Sequence, residues 1–223
     1  LSGLVGSEMC IRDRDTSMVG SLLIGNKHFL VRELVQAGRS TSCLGLTNGK
    51  MGIAIALFRY GRLSGELAYE EVASELLDDV CQNLNYSMPI SFNDGLCGIG
   101  WGIEYLIQHG YVDADGDEIL RDIDLYLIRC IHIYGLSGLS LRNGIVGLGR
   151  YILIRITPTF LFGDTFSSAL LKEYFIYLID WLEEELKRVD EPVDDLLDFL
   201  FDLYPTGFYQ TKVSDLIKYC MNK

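Results

Sequence analysis

The chain is poor in proline, histidine and positive charge, and it contains no long unbroken apolar run. Four prolines in 223 residues, with no Pro/Ser-rich stretch, leave nothing that reads as a linker, so a single domain is expected. No uninterrupted apolar stretch approaches the length of about 18 residues needed for a membrane-spanning helix. Lys and Arg number 19 against 31 Asp and Glu, a net charge of −12. That balance argues against nucleic acid, which needs a basic face, and against anionic membrane surfaces. The six cysteines are scattered, with neither a disulfide framework nor a paired-cysteine metal pattern. Cys97 and Cys130 sit in apolar runs and read as small buried hydrophobes. A reduced, cytoplasmic protein is expected. The hydrophobic content of 49% suffices for one sizeable core.

What the chain does have is a repeat. Asn48-Gly49-Lys50-Met51-Gly52-Ile53-Ala54, Asp94-Gly95-Leu96-Cys97-Gly98-Ile99-Gly100 and Asn143-Gly144-Ile145-Val146-Gly147-Leu148-Gly149 share one pattern at intervals of 46 and 49 residues. Each reads as a turn residue, Gly-x-x-Gly, then an apolar run. Such a period marks one supersecondary unit copied along the chain. Asn or Asp before Gly is a turn signal and a good helix cap. A glycine three residues on lets another backbone approach closely.

The runs Gly52–Tyr60, Gly98–Gln108 and Gly147–Ile156 are apolar on nearly all faces, as buried helices are. Each is followed by an acidic amphipathic segment with apolar residues at helical spacing. These stripes are Ala68, Val72, Leu76 and Val80, with Ser64 as a possible cap; then Ile119, Ile123, Leu127 and Ile131; then Leu171, Phe175, Leu178, Leu182 and Leu186. The expectation is an all-α fold of helical hairpins, a glycine-rich inner helix paired with a charged outer one. Stacked hairpins bury their inner helices against each other.

The first 14 residues, LSGLVGSEMCIRDR, look foreign to this pattern. Their end, EMCIRDR, resembles translated sequencing-adapter sequence, so residues 1–14 are read as a non-native segment and 15–223 as the domain.

The glycine hairpins resemble the lanthionine synthetase C-like family, most closely over Ser91–Leu106 and well over about Leu44–Ile156. The resemblance implies an α/α toroid, of which this chain would be an incomplete part. It also implies peptide modification, with a precursor peptide or partner protein as partner. Active members hold zinc with two Cys and one His, which activates a thiol that adds to a dehydroamino acid. The chain departs from that pattern. His28, His109 and His132 do not adjoin a cysteine, Ser91 stands where active members place Asp, and Asn143 stands where they place His. No metal site and no cofactor are therefore expected in this chain, with zinc expected only if further repeats follow. Whether it is catalytic stays open.

The candidate inner-helix-start or cavity residues are Asn48, Asp94, Glu104 and Asn143, and the structural glycines are Gly49, Gly52, Gly95, Gly98, Gly144 and Gly147. Glu104 follows Trp101 one turn into an inner helix. Asp113, Asp115 and Asp117 alternate like a calcium loop, yet a helix start explains them better. Two other functions fit the pattern: a non-enzymatic hairpin scaffold that binds a peptide or protein, and a carbohydrate-active α/α toroid. The last would need a carboxylate pair, for which Asp94 and Glu104 are available.

Overall fold

The computed structural model describes residues 29–134, 138–158, 163, 165–189 and 194–222 (backbone only at 131–134 and 166), and among these no strand occurs. Residues 29–40 are helical, here α1. Then follow α2 (Lys50–Ser64), α3 (Leu67–Asn83), α4 (Leu96–Gln108), α5 (Gly116–Tyr134), α6 (Ile145–Ile156), α7 (Phe166–Arg188), α8 (Asp194–Leu203) and α9 (Gln210–Met221). A 3-10 turn, Tyr204–Thr206, lies between the last two. The all-α expectation holds. Residues 1–14 lie outside the described residues, as does His28.

The three glycine motifs build three equivalent helix starts. Gly49, Gly95 and Gly144 are extended, with φ of −123°, −118° and −110°. The amide after each glycine donates to a carbonyl seven residues earlier: Lys50 to Cys43 and Leu96 to Pro89 at 2.9 Å, Ile145 to Gly138 at 3.0 Å. The second glycine of each motif lies on the carbonyl six residues before it. A Cβ there would sit 1.9 Å from Leu46 O at Gly52, 1.8 Å from Phe92 O at Gly98 and 2.2 Å from Leu141 O at Gly147. No real side chain tolerates such contacts, so the spacing Gly-x-x-Gly is a packing requirement of a loop curled onto its own helix.

This geometry corrects one expectation. Asn48, Asp94 and Asn143 do not cap the helices. The N-cap position falls on the glycine itself, with no side-chain cap bond, and the three polar residues before it are exposed. The loop carbonyl already satisfies an amide that would otherwise be orphaned. α7 is the contrast. Thr165 caps it in a capping box with Ser168. Thr165→Ala is expected to cost about 1 kcal/mol in chemical denaturation, whereas Asn48→Ala should be silent. An equal loss at Asn48 would contradict the main-chain start.

Neighbouring loops are stapled in the same register. Leu46 N donates to Asn93 O at 2.7 Å, and Phe92 N donates to Arg142 O at 2.9 Å. Both bonds run from three residues before the first glycine of one motif to two before that of the next. α2, α4 and α6 therefore begin at one end and run parallel. Along their lengths large side chains fill glycine gaps: Met51 of α2 at Gly102, Tyr151 of α6 at Gly100, and Phe199 of α8 at Gly149.

The inner helices follow one another in the order α2, α4, α6, α8, and α3, α5, α7 and α9 pack on them in turn. The α7 stripe is buried as expected, from Leu171 to Leu186. Two stripes shift. In α3 Ala73 is buried and Ala68 exposed, and in α5 Leu120 is buried while Ile119 is 47% exposed. Ser64 ends α2, its Oγ donating to Gly61 O at 3.3 Å, and does not cap α3. The hairpin of α8 and α9 is a fourth unit that carries no glycine motif. Its inner helix buries Leu196, Phe199, Leu200 and Leu203 completely.

Candidate functional site

The open face of the inner helices follows from their packing. On α4, Gly100 meets α6 and Gly102 meets α2. At about 100° per residue, Trp101 and Tyr105 fall between them. The opposite side, Ile99, Ile103 and Leu106, is buried. Trp101 and Tyr105 are only half-buried, and the equivalent positions are Ile55 and Arg59 in α2 and Arg150 and Ile154 in α6. The rings form a ladder. Phe92 meets Trp101 edge-on at 5.9 Å, Trp101 stacks on Tyr105 at 5.2 Å, and Tyr105 stacks on His109 at 4.0 Å. His109 ends the helix, with its Nδ1 2.8 Å from Tyr105 O.

Charge differs between the first three inner helices and α3. α2, α4 and α6 carry Lys50, Arg59, Arg62, Arg150 and Arg155 and one carboxylate, Glu104. α3 carries Glu70, Glu71, Glu75, Asp78 and Asp79 and no cation. The acidity of the chain thus sits largely on outer surfaces and on α8.

Behind the open face lies a buried polar cluster. Arg155 of α6 donates from Nη1 to Glu104 at 2.8 Å, and from Nη2 to Asp117 at 2.9 Å and Asp124 at 2.8 Å. Tyr151 donates its hydroxyl to Asp124. Gln108 bonds both Glu104 Oε1 at 2.8 Å and the Ile154 carbonyl at 2.7 Å. Burial raises the Asp124 carboxyl above its ordinary range, although Arg155 and Tyr151 pull the other way. Burial also carries the Tyr151 hydroxyl well up, with Asp124 adding to it. For Arg155 burial works against the charge, but the bonds and field of Asp124 outweigh it and hold the guanidinium protonated. A cavity of about 200 Å³ opens beside this cluster, lined in part by Asp115, Gly116 and Asp117.

A second, more open groove of about 530 Å³ lies at the helix starts, among Cys43, Lys50, Asp79, Asn83, Met88 and Asp94. There the Cys43 thiol faces Asp94 Oδ1 at 3.9 Å, and Lys50 pairs with Asp79.

The sequence candidates therefore separate. Asp94 lines the open groove, Asn48 and Asn143 are exposed loop residues, and Glu104 is 3% exposed inside the polar cluster. Asp94 and Glu104 are ten residues apart along one helix start, about 15 Å of rise. They do not face each other as a glycosidase pair would. Asp117 and Asp124 bind Arg155, and Asp115 Oδ1 accepts the Asp117 amide at 2.9 Å, as at a helix start. Sequence reasoning missed the cluster of Asp117, Asp124, Tyr151 and Arg155. Its one signal was the pair Tyr151 and Arg155, four apart in a helix whose remaining residues are apolar or glycine apart from Arg150.

The described residues do not fit a zinc centre. Cys97 and Cys130 are buried in the core, and burial, with Cys130 adding, pushes the Cys97 thiol far up, opposite to what a thiolate ligand needs. Among the described residues no three His, Cys, Asp or Glu side chains form a set suited to a metal, and the His132 side chain lies outside them. Among them, too, no helix is long and apolar enough to cross a membrane. No family model, curated protein or solved structure matches the chain.

Proposed function

We propose that the chain is a lanthionine synthetase C-like protein, part of an α/α toroid, that handles a peptide in peptide modification without a zinc site of its own. The observation that carries this reading is the threefold equivalence of the Gly-x-x-Gly helix starts, in their φ angles, loop bonds and glycine contacts. Stapled loops hold the inner helices parallel, so one face of the row stays open to a peptide. The precursor peptide and the cytoplasmic setting belong to the same proposal.

The burial of Cys97 and Cys130 in the core favours a second reading, a hairpin scaffold that binds a peptide or partner protein without chemistry. One assay tests both. The purified protein is mixed with a peptide that carries a dehydroalanine and a free cysteine, with and without added zinc. Peptide thiol is then followed by alkylation and mass spectrometry. Retention of the peptide with its thiol intact is the expected result. Thiol loss that needs added zinc and survives Cys97→Ala would place the chemistry elsewhere and overturn the zinc-free reading. No retention of any peptide would overturn both readings.

A further inference from the structure

We infer that the open face of α2, α4 and α6 selects an acidic peptide segment, one carboxylate of which pairs with Arg59 while a neighbouring aromatic residue lies against Trp101 and Tyr105. The inference rests on the peptide-handling reading above and adds the chemistry of the ligand.

The argument starts from the cations of the inner row. Lys50 is paired with Asp79, and Arg150 with Asp202. Arg155 is enclosed by Glu104, Asp117 and Asp124. Arg62 donates to the carbonyls of His109 at 2.7 Å and Gly110 at 2.6 Å, and its guanidinium lies 3.6 Å from the centre of the Tyr111 ring. Arg59 is exposed and has no ion-pair or hydrogen-bond partner among the described residues. It is the cation left over.

Its position follows from its neighbour. Arg62 reaches the end of α4 at His109 and Gly110, so Arg59, one turn earlier on the parallel helix, stands at the level of Tyr105. By this register an unpaired guanidinium shares a face with the half-buried Trp101 and Tyr105 and the exposed His109. Guanidinium is suited to a carboxylate because its forked donors can bind two oxygens at once. Aromatic rings offer area and stacking at low entropic cost. On α2 itself no carboxylate competes for Arg59.

Charge complementarity sets the sign. The protein carries −12 overall, so an acidic ligand is repelled from most of the surface, and on this face it meets its one unpaired partner in Arg59. A lysine-rich ligand would prefer α3. An aromatic ladder alone would also suit a carbohydrate, but a sugar gives Arg59 no charge to meet.

The test uses fluorescein-labelled peptides with a central Phe flanked by Glu, by Gln or by Lys, titrated against the whole chain by anisotropy. The Glu peptide should bind most tightly, and its affinity should fall with added salt. Arg59→Ala should weaken it about tenfold, the worth of one charge-assisted pair, and Trp101→Ala should weaken all peptides alike. Arg59→Glu should reverse the order in favour of the Lys peptide, which a merely structural role would not produce. Arg59 is exposed, so these variants should fold, as circular dichroism would show. Equal binding of the Glu and Gln peptides, or no response to Arg59→Glu, overturns the inference and leaves peptide handling standing. Failure of every peptide, or quenching of Trp101 fluorescence by a neutral oligosaccharide instead, overturns both.

Discussion

Replacing Arg155 with methionine should destabilise the protein by about 3–5 kcal/mol, the usual consequence of removing one partner from a buried ionic group. The side chain is 3% exposed and holds Glu104 and Asp124, themselves 5% and 3% exposed at the side chain. Without it two buried carboxylates and the nearby Asp117 confront one another with no cation. Much of a typical folding free energy of about 5–15 kcal/mol would be lost. Denaturation monitored by circular dichroism reads the effect. The triple variant Arg155→Met, Glu104→Gln, Asp124→Asn should recover much of the loss, since no charge is then stranded. A loss below about 1 kcal/mol for Arg155→Met would mean that water reaches the cluster freely.

The pH dependence follows from the same residues. Burial gives Asp124 a folded pKa above its unfolded value. The native state therefore holds this proton where the unfolded chain has released it. The Asp124 contribution is present below the unfolded value and is lost as pH rises through the folded one. Denaturation of wild type and Asp124→Asn across the acidic range should show the wild type losing ground as pH rises.

The second large effect is steric. Gly98→Ala should cost at least about 2–3 kcal/mol, at the upper end of ordinary overpacking. The added Cβ meets a carbonyl oxygen of the main chain at 1.8 Å, and Phe92, which carries it, is stapled to Arg142 by its own amide. Neither side can yield without breaking the loop. Gly102→Ala is the control. Its new Cβ meets Met51 Cγ and Sδ at 2.5 and 2.6 Å, atoms of a flexible side chain that can turn away. Thermal melts of the two variants should rank Gly98→Ala well below Gly102→Ala. The reverse order would refute the account of the motif.

The three hairpins were legible because one backbone event was written three times in the same letters. Gly-x-x-Gly marks a contact that no other residue permits, so the sequence had no freedom to disguise it. The cap assignment failed for the same reason. Asn48, Asp94 and Asn143 stand one position too early, and a main-chain carbonyl does the work that a side-chain cap normally does. The fourth hairpin escaped notice because α8 fills a gap where the others offer one. Phe199 occupies the space at Gly149, and a filler can be any large apolar side chain. The polar cluster was out of reach for a different reason. Glu104, Asp117, Asp124 and Arg155 come from three helices, and spacing along the chain says nothing about which charges meet across it. Glu104 was flagged as a polar residue facing a cavity, and its enclosure by Arg155 and Gln108 depends on the turn by which α6 is set against α4.

The loop staples have one more consequence, concerning shape. At the starting end, the distance between successive units is set by amide-to-carbonyl bonds that no substitution other than proline removes. At the far end, the units are joined by side chains reaching across: Arg62 to His109 and Gly110, and Gln108 to Ile154. Successive units are thus joined by one main-chain edge and one adjustable, side-chain edge. Point changes at Arg62 or Gln108 would alter the spacing of the far ends alone, leaving the pinned end untouched.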